Sequence, residues 1–263
     1  MTGQVLRNRT EGVVTLTLDN PESRNALTMP MAAQLCEMLR EAASDSSVRA
    51  VVLTGSGKAF CAGGDVKAMA AGRDANRSIE ERADSLRERA ETVRLLNEMS
   101  KPTIAVIPGP VAGAGLGLAL SCDFRLASSD AKLTTAFARV GLAGDFGVNW
   151  FITRILGTAK ARELMMFAPV LSAGEAHALG LFTRVFPAEG FAEAAGAVVA
   201  ELAAGPTIAY AHMKQIINAC ASQSLAPSLD IEALRQARCM GTEDHANAAR
   251  AFAEKRLPEF KGR

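Results

Sequence analysis

Hydrophobic and polar positions alternate in two distinct rhythms along the chain. Residues 12–19, GVVTLTLD, alternate Val, Thr and Leu before NPESRN, which predicts a strand followed by a turn. From Thr28 the period changes. A hydroxyl at the cap, Pro30 in the first turn, and Met31, Leu35 and Met38/Leu39 at helical spacing predict a helix. Residues 48–57, VRAVVLTGSG, are a short apolar run closed by glycines, the signature of a buried strand. Residues 72–98 are rich in charge, with Ile79, Ala83, Leu86, Ala90 and Val93 on one helical face, and predict an amphipathic helix with a solvated side.

A second buried strand, PTIAVIPG at 102–109, runs directly into PVAGAGLGLALSCD. Residues 123–135 read as strand, turn and strand, and GTAKARELMMFA is helical. Ser172 and Glu175 form a capping-box pattern for a helix that stops at Gly180. LFTRVF is a strand, and most of the chain from Phe191 onward is helical. Strands alternating with helices give an α/β class for the first two-thirds, followed by a helical tail.

At 263 residues, with 49% hydrophobic and 22% charged residues and a net charge of +1, the chain has an ordinary globular balance and can bury a substantial core. The near-neutral charge argues against a nucleic-acid surface. Five scattered cysteines without a CxxC pair predict neither a disulfide framework nor a metal site, and a reducing, cytoplasmic setting is expected. The long uncharged run from Ile104 to Cys122 holds two prolines and four glycines, so it is expected to fold as strand, turn and helix start instead of crossing a membrane.

Two glycine-rich turns, AFCAGGDVK at 59–67 and GAGLG at 113–117, each follow a buried strand and open a helix. Neither matches a nucleotide loop. GAGLG lacks the GxGxxG spacing, and GSGKA at 55–59 lacks the upstream glycine and the hydroxyl after lysine. Cys61 as a nucleophile would need a histidine, and only His177, His212 and His245 exist, all far along the chain; a buried core cysteine is the simpler reading. The remaining reading joins the turns. Their backbone N–H groups can converge on one carbonyl oxygen as an oxyanion hole.

RNALT (24–28), GKAFCAGGDVKAM (57–69), GPVAGAGLGLALSCD (109–123) and EKRLPEFKGR (254–263) resemble, in order and spacing, the crotonase superfamily, the enoyl-CoA hydratase/isomerase family. The resemblance implies a ClpP/crotonase-like spiral of β-β-α units over residues 1–200. It also implies a helical region at 201–263 that drives homotrimers, often paired into hexamers. It implies an acyl-CoA thioester substrate, with coenzyme A part of the substrate and no further cofactor. By position, the oxyanion donors are the N–H groups of Gly64 and Ala114, and Asp65 caps the following helix. Arg24 and Lys67 are placed near the CoA phosphates and Ala62 near the adenine; Lys255 and Arg256 either reach a neighbouring subunit's CoA or are solvated surface charges.

The departures from the family pattern bear on the reaction. The two hydratase glutamates fall at Gly117 and Phe137, Ala114 replaces the usual middle glycine, and Pro108 stands where asparagine is usual. Asp145, in GLAGDFGVNW, matches the single catalytic aspartate of ring-opening and double-bond isomerases of the phenylacetate-degradation type, against the reading that it only caps the helix that follows. A pocket of Phe137, Phe146 and Trp150 is expected to raise its pKa. A one-acid isomerase is therefore expected, with a hydratase using Asp145 and water as the alternative. An aryl-CoA dehalogenase is a minor alternative, since Ala90 and Phe137 stand where that enzyme needs histidine and tryptophan. A non-catalytic scaffold or RNA-associated relative is the reading from outside enzymology.

Overall fold

The computed structural model describes residues 3–72 and 76–263, apart from the side chain of Lys67. Strand β1 (Gln4–Thr10) pairs antiparallel with β2 (Val13–Asp19), and β2 runs parallel to β3 (Ala50–Gly55). The sheet continues in parallel through β4 (Thr103–Ile107), β6 (Phe124–Ser128) and β9 (Arg184–Phe186), in the order β1-β2-β3-β4-β6-β9. A smaller sheet joins β5 (Val111–Ala112), β7 (Lys132–Thr134) and β8 (Leu171–Ser172).

The apolar runs at β3 and β4 exist because both faces of the sheet are covered. On one face Val51, Leu53, Ala105 and Ile107 join the main core, which includes Met31, Leu35 and Leu39 of α1 (Met29–Ser44) and Leu116 and Leu120 of α5 (Gly113–Ser121). On the other, Ala50, Val52, Ile104 and Leu126 pack with Phe191, Ala195 and Val199 of α8 (Phe191–Ala204). Burying Phe191 and Val199 there contributes roughly 1.5–3 kcal/mol each. Thr28 caps α1 as its sequence predicts, accepting from the Met31 N–H at 3.4 Å.

Of the stretch 72–98, residues 73–75 lie outside the described residues, and 76–98 differ from the single helix their apolar spacing predicts. After α2 (Val66–Ala70), the chain forms α3 (Ile79–Arg89) and α4 (Glu91–Glu98), which meet at Ala90. The Ala90 N–H is shared between the carbonyls of Leu86 and Glu88, a tightened turn that resets the helical phase. Consequently α4 buries Thr92, Val93 and Leu96, whereas Ile79 is 78% exposed and Ser85 is the buried residue of α3. β1 has no visible sequence rhythm because only Val5 is buried.

After α6 (Val148–Phe167), broken at Gly157, and α7 (Ala173–Ala178), the chain passes through β9 and α8. It ends in α9 (Thr207–Cys220), α10 (Leu225–Met240) and α11 (Glu243–Ala253). Among the described residues no single helix is long and apolar enough to cross a membrane. Lys214 anchors α9 to the sheet layer: its buried Nζ donates to Asp123 Oδ2 at 2.9 Å and to the Leu96 carbonyl at 2.8 Å. Lys214→Met removes the cation from the Asp123 carboxylate, which then keeps only its Thr103 N–H and hydroxyl donors, so chemical denaturation is expected to show a loss of about 1.5–3 kcal/mol; a loss below ~1 kcal/mol would contradict this anchoring.

Candidate active site

The first turn is built by folding the chain back sharply after β3. A Cβ at Gly55 would lie 2.2 Å from the Phe60 carbonyl oxygen, so only glycine fits. Asn25, fully buried, latches the fold by donating to the carbonyls of Ser56 at 2.9 Å and Ala59 at 2.8 Å. This gives the RNALT stretch a structural task that spacing alone does not reveal. The Leu27 N–H then donates to the Gly63 carbonyl at 2.7 Å, and the Ala62 N–H to the Arg24 carbonyl at 2.9 Å.

The second turn locks onto the first. Cys61 bridges to Val111 in parallel, and the Ala112 N–H donates to the Cys61 carbonyl at 2.9 Å. At Gly115 a Cβ would sit 2.6 Å from the Cys61 Cβ, so glycine permits the close approach. Helix α5 starts at Gly113 with no side-chain cap, leaving the Ala114 N–H in the first turn without an intrahelical acceptor. Gly64 N–H likewise has no backbone acceptor among the described residues.

Both turns open onto one cavity of about 650 Å³, which Asp145 also lines. The loop carrying Asp145 is seated by Gly117, whose missing side chain admits the Phe146 backbone: a Cβ there would be 2.3 Å from the Phe146 carbonyl oxygen. Asp145 does not cap α6. The cap position is Gly147 without a side-chain bond, and Asp145 Oδ1 instead accepts from the Phe146 N–H at 2.8 Å. Burial pushes the Asp145 carboxyl above its usual range, partly offset by that N–H and by the Arg89 charge.

Phe137 and Phe146 line the cavity as expected, but Trp150 does not. It is 49% exposed on α6, edge-on to Phe151 at 4.9 Å and with Arg154 4.1 Å from its ring centre. Helical phase turns it away from the residues that flank Asp145 in sequence. Asp65 accepts from the Ala68 N–H at 3.1 Å, which is a capping bond for α2. Ala62 lines the cavity; Arg24 has an exposed side chain and, like Lys255, is not among the described lining residues. The Lys67 side chain lies outside the described residues. Arg256 pairs with Glu254 at 2.6 Å in the tail after α11.

Cys61 is wholly buried, and its thiol is pushed up to about 12 by that burial. Cys122 is likewise pushed up to about 12. The native protein is therefore expected to react with a thiol reagent at exposed Cys220 and not at Cys61 or Cys122. Peptide mapping after brief alkylation checks this; modified Cys61 would reopen its nucleophilic role.

Sequence reasoning passed over three lining residues, Arg77, Arg82 and Arg89. The signal was present. Arg82, Ser85, Leu86 and Arg89 stand at i, i+3, i+4 and i+7 on one face of α3, and all four line the cavity. Counting only apolar positions concealed that face.

Residues 8–263 match the family model described as Enoyl-CoA hydratase/isomerase, and the chain belongs to that family. It is similar to the 1,2-epoxyphenylacetyl-CoA isomerase of Escherichia coli (strain K12), at 35% identity over 98% of each chain. It is 31% identical to the 4-chlorobenzoyl coenzyme A dehalogenase-2 of Arthrobacter sp, covering 94% of this chain and 90% of that one. A crystal structure of an enoyl-CoA hydratase from Polaromonas sp. JS666 superposes with a TM-score of 0.92 at 34% identity, covering 98% of this chain and 100% of that one. The crotonase fold expected from the sequence motifs is thus the observed one, and the chain is an acyl-CoA enzyme of the hydratase/isomerase family.

Proposed function

We propose that this protein moves a double bond in an enoyl-CoA thioester, with Asp145 carrying the proton. The thioester carbonyl accepts hydrogen bonds from the N–H groups of Gly64 and Ala114, which stabilises the enolate formed when a neighbouring proton leaves. Asp145 takes that proton at one carbon and returns it at another. One observation carries the reading. Only two carboxylates, Asp65 and Asp145, are among the described lining residues, and Asp65 is engaged in capping α2.

Hydration is the second reading, favoured by relatives such as the Probable enoyl-CoA hydratase of Rhodobacter capsulatus, 36% identical to this chain. It demands that one aspartate both deprotonate water and protonate the α-carbon, since residues 117 and 137 are glycine and phenylalanine. Aryl dehalogenation lacks support in the described lining, which contains neither histidine nor tryptophan.

Incubation with a 3-enoyl-CoA and, separately, a 2-enoyl-CoA distinguishes these readings through the conjugated thioester absorbance. Isomerisation makes the chromophore appear from the first substrate; hydration makes it disappear from the second and overturns the proposal. An epoxide of an arylacetyl-CoA belongs in the same panel, given the relative named for that substrate. We place CoA contacts at Arg24, Ala62, Lys67 and Lys255. We also divide the chain into a catalytic core at 1–200 and a self-associating helical region at 201–263. Exposed Met213, Ile217, Leu229 and Met240 support trimer or hexamer assembly through that region.

A further inference from the structure

We propose that the Ser85 hydroxyl binds an oxygen carried on the acyl group, a keto oxygen in the simplest case. It thereby selects an oxygen-bearing acyl-CoA. The inference deepens the proposed function above and rests on its placement of the thioester between the two glycine turns. Ser85 is 8% exposed and is the buried residue of α3, whose apolar residues Ile79 and Leu86 are both exposed. It also lines the cavity onto which both glycine turns and Asp145 open. The most enclosed position of the helix is thus given to a hydroxyl. A serine inside a helix ordinarily bonds back to the carbonyl four residues earlier. For Ser85 that carbonyl belongs to Glu81, and it receives Arg77 Nη2 at 3.1 Å instead. Among the described residues the Ser85 hydroxyl has no hydrogen-bond partner, and its oxygen is open to the cavity.

Serine forms helix less well than alanine, so without a bond inside the fold the hydroxyl brings α3 no benefit. Its use lies in the cavity. The lining is rich in apolar side chains, Met69, Phe137, Leu142 and Phe146 among them, and a polar group in such a pocket fixes a ligand's orientation. A plain hydrocarbon chain that displaces water from Ser85 leaves the hydroxyl unpaired, whereas a ligand oxygen restores the bond. The pantetheine amides of coenzyme A are the competing acceptors, and position separates the two. Helix α4 continues α3 through the tightened turn at Ala90 and reaches the loop that carries Asp145: a Cβ at Gly147 would lie 3.5 Å from Val93 Cγ1. The wall that holds Ser85 therefore leads to the base proposed to work on the acyl carbons. The coenzyme A contacts are placed elsewhere, around the first glycine turn at Ala62 and Lys67.

The test measures binding, so it does not depend on turnover. Calorimetry compares octanoyl-CoA with its 4-, 5-, 6- and 7-oxo counterparts, in the intact protein and in Ser85→Ala. At least one oxo ligand is expected to bind the intact protein about three- to tenfold more tightly than octanoyl-CoA, the worth of one hydrogen bond. In the variant that advantage is expected to fall towards onefold. If no oxo ligand gains over octanoyl-CoA in the intact protein, the proposal is overturned whether or not the variant folds. It is also overturned by an advantage that survives Ser85→Ala, or by an equal weakening of every ligand, which would assign the hydroxyl to coenzyme A. Ser85→Ala is expected to melt no lower than the intact protein; a clear drop would assign the hydroxyl to the fold and sink the argument that leaves it for a ligand. Failure of the isomerase reading shows up separately, as unchanged absorbance with either enoyl substrate despite tight binding.

Discussion

Asp145→Asn is expected to slow double-bond migration by about 10²–10⁴-fold while acyl-CoA binding persists, because the amide keeps the shape and loses the proton transfer. The same variant carries a second signature, in stability. Burial raises the folded-state pKa of Asp145 above its unfolded value, so ionising it costs folding free energy. Wild-type stability from this group is complete below the ordinary carboxylate pKa of about 3.9 and is lost as pH rises through the elevated folded value. Asparagine never ionises. The variant should therefore melt above the wild type at neutral pH, with the gap closing as the solution is acidified. Thermal unfolding across a pH series reads this directly, and a variant that melts lower at neutral pH would contradict the burial argument. Activity should follow the opposite limb: kcat/KM rises with pH through that elevated pKa as the base becomes ionised.

Gly117→Glu is the second large effect, and its direction is the less intuitive. The substitution supplies a carboxylate where the family resemblance of the sequence motifs places a hydratase glutamate. Here the expected result is loss of activity, not gain of hydration. The Phe146 carbonyl oxygen and Cβ lie 2.3 and 2.6 Å from where the new Cβ must go, so the loop holding Asp145 is displaced before the glutamate reaches any ligand. Overpacking of this kind costs about 1–3 kcal/mol or more in stability, and a shift of the base by 1 Å is enough to lose about 10² in rate. Gly117→Ala separates the causes: it adds the clash without the charge and should lose nearly as much activity. An active, hydrating Gly117→Glu protein would show that the loop relocates freely.

The parts of the fold written in local rhythm were legible. β2 alternates because one side chain in two faces the core, and β3 and β4 are continuously apolar because each residue faces one of two cores. The capping box of α7 and the cap of α1 depend on residues three apart and were equally visible. What stayed hidden depended on partners distant in sequence. Gly117 is dictated by a carbonyl 29 residues away, and nothing near it announces that contact. Trp150 looked like a wall of the site because it follows Phe146 closely, yet the start of α6 rotates it outward. The arginines of α3 were read as solvent-facing charge; Arg82 is indeed exposed, but it and Arg89 also line the cavity, a placement that a tally of apolar positions ignores.

The interlocked turns described above have a practical corollary. Their grip is fixed by the Cys61–Val111 bridge and by glycines that admit no side chain, and the Asp145 side chain contributes no bond to it. With Asp145 as the proposed base, a chain disarmed there is expected to remain a receptor. Immobilised and exposed to a cell extract, it can retain the thioester it no longer converts, and mass spectrometry of the eluate then names the metabolite. The inactive protein becomes the reagent that identifies the natural ligand of the active one.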